Sequence, residues 1–410
     1  MYKFLTEIDK AEYDEFVASH PLNSLLQSYN WKEIKDNWTP IYTGVKDGEG
    51  KLKAAGLMLI QTVKGLVSVG YMPRGPIFDY NDRELLDFYF SNLKKLAKAK
   101  KLLFIKMDPK VVLRSALIND FVSAEESSEA LSVIEALKQQ GFYWKGKTIE
   151  MGETFQPRFD ATTFLCDDFK KVLSSATRQK INRAEKKNVV IRKSNGSKED
   201  LMRFQDILEK TMERKSISLR DVSYFEKMVN AYPDGYRLSF AELHISETRE
   251  TLNDRINEIE DKISELANKN APKKMKELEQ NKAAIERSLE ELNNIDTDED
   301  IITLAGIISI GYGDTLEMLY AGFDVRYKTY FAQYLLYLKT MEEAYSDGFS
   351  KACMGGIQGS LNDGLLEFKQ HFVPNIEEYI GEFDLATSPL YHLINGLYNL
   401  KKKIRKMRKK

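Results

Sequence analysis

The sequence predicts an α/β protein of two similar units, with an antiparallel two-helix coiled coil inserted into the second unit. Three observations predict it. Short segments rich in β-branched and apolar residues alternate with helix-period stretches along the 410 residues. The order and size of these elements in 1–150 recur from 151 onward. Between 246 and 295 the pattern changes to heptads: Leu252, Ile256, Ile259, Ile263 and Leu266, then Leu278, Lys282, Ile285, Leu289 and Leu292.

The first unit opens with a strand and a short helix in 1–20, and Gln27–Lys35 starts another helix. Segments 41–46, 54–62 and 66–71 read as a meander, broken by Pro73-Arg-Gly-Pro76. Residues 82–99 carry Leu85, Leu86, Phe88, Tyr89, Leu93 and Leu96 on one broad helical face. Leu102–Met107 is a buried strand, ended by Asp108-Pro109. A helix at 128–140 and a strand at 142–151 close the unit.

The second unit holds a strand at 159–164 and a basic helix over Phe169–Lys187. A strand at 189–193, a helix at 198–214 and a strand at 236–245 follow. After the insert come strands at 301–311 and 315–320, a long helix over Tyr327–Tyr345, a strand at 351–354 and a short helix at 364–372. The stretch Leu385–Lys410 reads as a helix with a basic end, returning to complete the first unit. The domains expected are therefore 1–150 with 385–410, 151–245 with 296–384, and the hairpin 246–295.

Each hairpin arm presents a narrow apolar seam flanked by charge, and Asn268–Pro272 supplies the turn. At 1.5 Å per residue each arm reaches roughly 30 Å. The hairpin carries 12 acidic and 9 basic residues, a net of −3, and only Lys269, Lys273, Lys274 and Lys276 make its tip basic. Any contact with phosphate is therefore confined to the tip. A rigid spacer or a dimerisation arm remains an equal alternative.

Composition narrows the chemistry. A net charge of −1 gives no global attraction to nucleic acid, so such a contact needs a local patch. Cys166 and Cys353 are far apart, which suits a reducing cytosol. The four histidines lack metal-ligand spacing, so neither a metal nor another cofactor is expected. No run of 18 apolar residues and no leader-like N-terminus occurs, and a cytoplasmic location is expected. P-loop, dinucleotide and GxSxG motifs are absent. An acyl transfer by direct attack stays open, because it needs mainly positioning and charge stabilisation.

One ordered series is specific. Gln27…Trp31…Lys35, Tyr71-Met-Pro-Arg-Gly-Pro76, Ile105-Lys-Met-Asp-Pro109 and Gln156-Pro-Arg158 are followed by Thr177-Arg178…Ile181 and Thr211…Arg214…Arg220…Tyr224-Phe225. Tyr320-Ala-Gly322, Gly355-Gly356…Gly364-Leu-Leu-Glu-Phe368-Lys369…Phe372 and Tyr379-Ile-Gly-Glu-Phe383 complete it. The series resembles the FemABX family of aminoacyl-tRNA-dependent peptidyltransferases of Gram-positive cell-wall synthesis. The resemblance covers essentially the whole chain, and length and opening look most like its streptococcal MurM/MurN type.

The resemblance implies two packed domains of the GCN5-like N-acetyltransferase fold, with the hairpin growing from the second. It implies transfer of an amino acid, alanine or serine, from charged tRNA to an amine on lipid II or a UDP-linked precursor. No ATP is required, because the ester is already activated. By the same resemblance Lys35 and Arg220 hold the precursor diphosphate, with Arg214 a competing match, and Tyr320 lines that site. Asp108 orients the incoming amine or accepts its proton. Lys369 offsets charge on the ester or its leaving ribose oxygen, and Phe368 stacks on the terminal adenine.

Lys180 and Arg183, in the basic helix, are expected on a tRNA surface. Lys401–Lys410, with eight basic residues, is expected to meet tRNA or anionic lipid. The plain alternatives are a solvated charge for the cations, a packed aromatic for Tyr320 and Phe368, and a turn-forming Asp before Pro109 for Asp108. Two rival functions also stay open. An acyl-CoA N-acetyltransferase predicts a Q/R-x-x-G-x-G/A turn, which is not found. A non-catalytic tRNA- or membrane-binding module would rest on the hairpin.

Overall fold

The computed structural model describes residues 1–63, 67–212, 220–266, 271–393 and 396. Arg214, the hairpin tip with Lys269, and the tail Lys401–Lys410 lie outside the described residues.

Among the described residues sixteen strands form two eight-stranded sheets. The first ten are β1 (Lys3–Leu5), β2 (Thr39–Lys46), β3 (Leu52–Val63), β4 (Val67–Met72), β5 (Ile77–Phe78), β6 (Leu102–Met107), β7 (Val112–Leu117), β8 (Phe142–Trp144), β9 (Phe159–Phe164) and β10 (Val190–Lys193). The last six are β11 (Tyr236–His244), β12 (Ile301–Tyr312), β13 (Thr315–Phe323), β14 (Lys351–Gly356), β15 (Asn375–Tyr379) and β16 (Phe383–Ala386).

The first sheet runs β1-β2-β3-β4-β6-β16-β8, with β5 added to β3. The second runs β10-β11-β12-β13-β14-β9-β15-β7. Each contains one parallel pair in an otherwise antiparallel ladder: β4 with β6, and β13 with β14. The two units thus repeat one plan. Neither sheet is contiguous in sequence, because β7 joins the second sheet and β16 inserts between β6 and β8 of the first.

The helical reading of 385 onward does not hold at its start. Phe383, Asp384 and Leu385 are all buried, and the Asp384 carboxylate accepts from Lys106 at 2.8 Å. A buried ion pair pins this segment as a strand where local pattern offers little signal. The single basic helix over 169–187 is instead two, Phe169–Val172 and Ser175–Lys186. Ser174 accepts from the Thr177 N–H and starts the second helix afresh. The long helix begins at Ala332, because Phe331 sits at φ 53° and ends the preceding 3-10 turn.

Helix Arg83–Ala99 buries Leu85, Leu86, Tyr89, Phe90 and Leu93 against the first sheet. β12 is apolar on both faces over most of its length, as befits a central strand covered on both sides. A third core joins the units, packing Trp31, Leu57 and Ile77 with Phe204, Phe225 and Ile308.

The hairpin arms are Ile245–Leu266 and Pro272–Asn293. Leu252 and Leu292, near its root, belong to the core of the second sheet. Lys282, the polar break in the seam, reaches across to Glu260 at 2.6 Å. Lys187 of the basic helix grips Glu291 at 2.6 Å and ties the root to the globular body.

Candidate active site

The site follows from how the two units meet. The four-residue helix Trp31–Ile34 packs against helix Val222–Ala231. The Asn30 side chain donates to the Ala231 carbonyl at 2.6 Å, and Ser28 bonds Tyr232 at 2.6 Å. Lys35 leaves the first helix and Arg220 stands just before the second, so this packing turns two remote cations toward each other. Burial lowers the Lys35 pKa, and the charge of Arg220 lowers it further. The Arg220 guanidinium lies 4.9 Å from the Tyr224 ring centre. The Tyr224 hydroxyl in turn meets Tyr320 Oη at 3.3 Å. Lys35, Arg220 and Tyr320 are therefore brought into one neighbourhood.

Lys35 also lines a pocket of about 160 Å³ with Trp31, Trp38, Leu59, Tyr71, Phe155 and others. Tyr71 forms its back. The Tyr71 hydroxyl donates to Asp108 Oδ2 at 2.8 Å, and the Arg74 backbone N–H donates to Oδ1 at 2.6 Å. Asp108 is 3% exposed. Burial pushes its pKa up to about 7, against the pull of the Arg74 charge and of these hydrogen bonds; Glu382 raises it further. The carboxyl thus sits behind Tyr71 and titrates near neutrality. Two larger concavities, of about 500 and 470 Å³, contain none of the candidate residues.

A supporting frame surrounds this pair. Gln27 is fully buried, accepts from the Leu57 N–H at 2.8 Å and donates to the Pro73 carbonyl at 2.7 Å. It therefore joins β3 to the turn that carries Arg74. The Arg74 guanidinium pairs with Asp160 at 2.9 Å and also donates to the Pro157 carbonyl at 2.8 Å.

Lys369 lies in the second unit and is 7% exposed. Its ammonium donates to the carbonyls of Gly355 and Gly356 at 2.9 and 2.8 Å. Gly356 faces Asp160 across β14 and β9, and a Cβ there would stand 2.3 Å from Pro157 Cγ. Close backbone approach at Gly356 thus connects Lys369, through Asp160 and Arg74, to Asp108. Phe368 packs edge-on against Tyr334, Tyr337 and Phe372, with centroids 5.3, 4.9 and 5.6 Å away.

Lys180 donates to the Tyr334 hydroxyl and to His371 Nε2, both at 3.0 Å. It therefore borders the Phe368 cluster. Arg183 is exposed one turn further, 5.9 Å from the Phe331 ring centre. Among the described residues no cluster of His, Cys, Asp or Glu gathers as a metal site.

Sequence reasoning assigned no role to Tyr71, Trp38, Phe155, Tyr224 or His371. Tyr71 and Tyr224 fall inside the ordered motifs, which was the available signal. Trp38 and Phe155 gain significance only from the pocket that folding makes.

Two tandem domains with the GCN5-like fold are what this topology defines. A tandem GNAT protein from the clavulanic acid biosynthesis pathway superposes with a TM-score of 0.50, covering 95% of this chain and 99% of its own at 7% identity. The crystal structure of FemX is much nearer, with a TM-score of 0.80 and 25% identity over 96% of this chain and 99% of that one. The FemAB family model matches residues 8–399, and the chain belongs to that family. Relatives include the lipid II:glycine glycyltransferase of Staphylococcus aureus, 29% identical over 94% of each chain. That of Staphylococcus haemolyticus is 27% identical, again over 94% of each.

Proposed function

We propose that this protein moves a small amino acid from aminoacyl-tRNA to an amine on the stem peptide, or on a nascent branch, of lipid II. The reaction builds the interpeptide bridge of peptidoglycan. The observation that carries the reading is the convergence of Lys35 and Arg220, from different units, beside a pocket backed by Tyr71 and Asp108. Two separated cations suit a diphosphate. A carboxyl titrating near neutrality suits removal of a proton from an attacking amine. The relatives named as lipid II glycyltransferases support the same acceptor.

In this reading the neutral amine attacks the ester carbonyl of the charged tRNA. Lys369 would steady charge on the ester or its leaving ribose oxygen, in competition with the carbonyls of Gly355 and Gly356. Lys180 and Arg183 would face the tRNA, and Phe368 would meet its terminal base. The basic tail Lys401–Lys410 would hold the protein at anionic lipid, at about 1 kcal/mol per basic residue.

The test uses purified protein, lipid II or its UDP-linked counterpart, and single labelled Ala-, Ser- and Gly-tRNAs. The acceptor resemblance favours alanine or serine, and the named relatives use glycine. Label appearing in lipid II from one of the three supports the reading; label in none overturns it.

A further inference from the structure

We propose that the Tyr71 hydroxyl, rather than Asp108 directly, meets the acceptor ammonium, receives its proton and passes its own on to Asp108. This rests on the aminoacyl transfer proposed above and specifies its proton path.

The geometry carries the argument. Tyr71 lines the pocket that Lys35 also lines, whereas Asp108 does not line it. Both Asp108 oxygens are engaged, Oδ2 by the Tyr71 hydroxyl, whose residue lines the pocket, and Oδ1 by the Arg74 N–H. An amine standing in the pocket therefore meets the phenol first. A hydroxyl oxygen has two lone pairs and one proton. Gln156 bonds to the Tyr71 hydroxyl, and the proton is held by Asp108, which leaves the oxygen able to accept from a donor in the pocket.

The walls suit that donor. Trp31, Trp38 and Phe155 surround the space with aromatic faces, which hold an alkylammonium by contact and by cation–π attraction. Phe155 is itself held in place by Tyr71, with ring centres 5.1 Å apart, and by Lys106 at 5.2 Å.

The phenol is a relay and not a base in its own right. Burial and then the Asp108 charge push the Tyr71 hydroxyl well above its ordinary value, so it stays protonated. The charged and titratable groups around Asp108 are Tyr71, Tyr80, Arg74 and Glu382. The transfer balances as follows. The ammonium gives one proton to Tyr71 Oη while the Tyr71 proton passes to Asp108 Oδ2. The neutral amine forms the new N–C bond, and the C–O bond to ribose breaks. The second amine proton goes to the leaving ribose oxygen, and Asp108 later returns its proton to water.

The experiment measures kcat/KM for transfer from charged tRNA to lipid II across pH 5.5–9 for the wild type, Tyr71→Phe, Asp108→Asn and the double variant. The wild type shows a limb near pH 7. Tyr71→Phe falls about 10²- to 10⁴-fold and loses that limb, with KM for lipid II unchanged. The double variant falls no further than the worse single, because the two groups act as one unit.

Tyr71→Phe within about threefold of wild type, or slowed with the limb retained, overturns the relay. If Tyr71→Phe does not fold, 3-fluorotyrosine at position 71 decides the matter. Its stronger donation to Asp108 moves the limb to lower pH, and an unmoved limb overturns the relay. No transfer by the wild type overturns the underlying reading, and the relay with it.

Discussion

Lys35 and Arg220 come from different units, and the Arg220 charge adds to burial in lowering the Lys35 pKa. Lys35 is half-buried and Arg220 exposed, and a like charge near a half-buried ammonium is unfavourable unless an anion joins them. Lys35→Ala and Arg220→Ala are each expected to raise KM for lipid II roughly 10- to 100-fold, the value of a charge-assisted contact. Titration with lipid II at two ionic strengths checks this, and the loss should be larger at low salt.

Lys369, proposed to steady charge in the transfer, also holds two backbone carbonyls. Lys369→Met removes the donor to two backbone carbonyls, at about 1–3 kcal/mol for each one left buried and unpaired. Transfer should fall about 100-fold, in line with loss of one charge-stabilising donor. Lipid II binding should persist, since Lys35 and Arg220 are untouched. Calorimetric binding beside a melting curve separates the two effects. Equal loss of binding and transfer would reassign Lys369 to the scaffold.

The buried carboxyl sets the pH dependence. Asp108 is ionised above about pH 7 and protonated below it, so with Asp108 as the proposed proton acceptor kcat/KM is expected to climb as pH rises through about 7. Stability runs the other way. The folded pKa is raised above the unfolded value of about 3.9, so the stability contributed by Asp108 is complete below about pH 4 and lost as pH rises to about 7. Glu382 raises the Asp108 pKa, so Glu382→Gln should move the activity limb to lower pH. A pH–rate profile of the variant reads the shift directly.

Gly313, between β12 and β13, lies against Ala18 and Asn23 of the first unit. It holds φ +59°, and a Cβ there would stand 2.7 Å from the Ala18 carbonyl oxygen and 2.8 Å from the Asn23 side chain. Asn23 in turn donates to Asp314 at 3.1 Å. Gly313→Ala combines a strained backbone with a contact that cannot relax, and should cost about 1–3 kcal/mol. Urea unfolding measures it.

The hairpin should divide into a root and an arm. Leu292→Ala empties part of the second core and should cost about 2–5 kcal/mol. Lys282→Ala breaks the exposed, solvent-screened pair with Glu260 and should leave the melting temperature nearly unchanged. Similar losses at both positions in thermal melts would contradict this division.

What was legible in the sequence depended on how local the cause was. The hairpin was clear because its seam repeats over five positions in each arm. Strand β9 was read over 159–164 and its bounds are Phe159–Phe164, a short stretch with two β-branched threonines between two phenylalanines. Asp108 was placed at a strand end because Pro109 stops β6. Strands β5, β7, β15 and β16 were missed, and for the last three the reason is physical: each pairs with strands distant in the chain. β16 is short, and its central Asp384 is buried only because Lys106 and Lys145 neutralise it. The separate motifs of Lys35, Arg220 and Tyr320 were visible, but their meeting depends on two helices packing across the units. Tyr71 lay in a quoted motif without a role, because only the fold puts its hydroxyl between Asp108 and the pocket.

The most direct measurement is transfer of a radiolabelled amino acid from charged tRNA to lipid II by the purified full-length chain, with and without ribonuclease treatment of the donor. Labelled lipid II is expected from at least one of alanyl-, seryl- and glycyl-tRNA, abolished by ribonuclease and reduced by Lys35→Ala. Label that survives ribonuclease, or no label from any of the three donors, would contradict the proposed transfer.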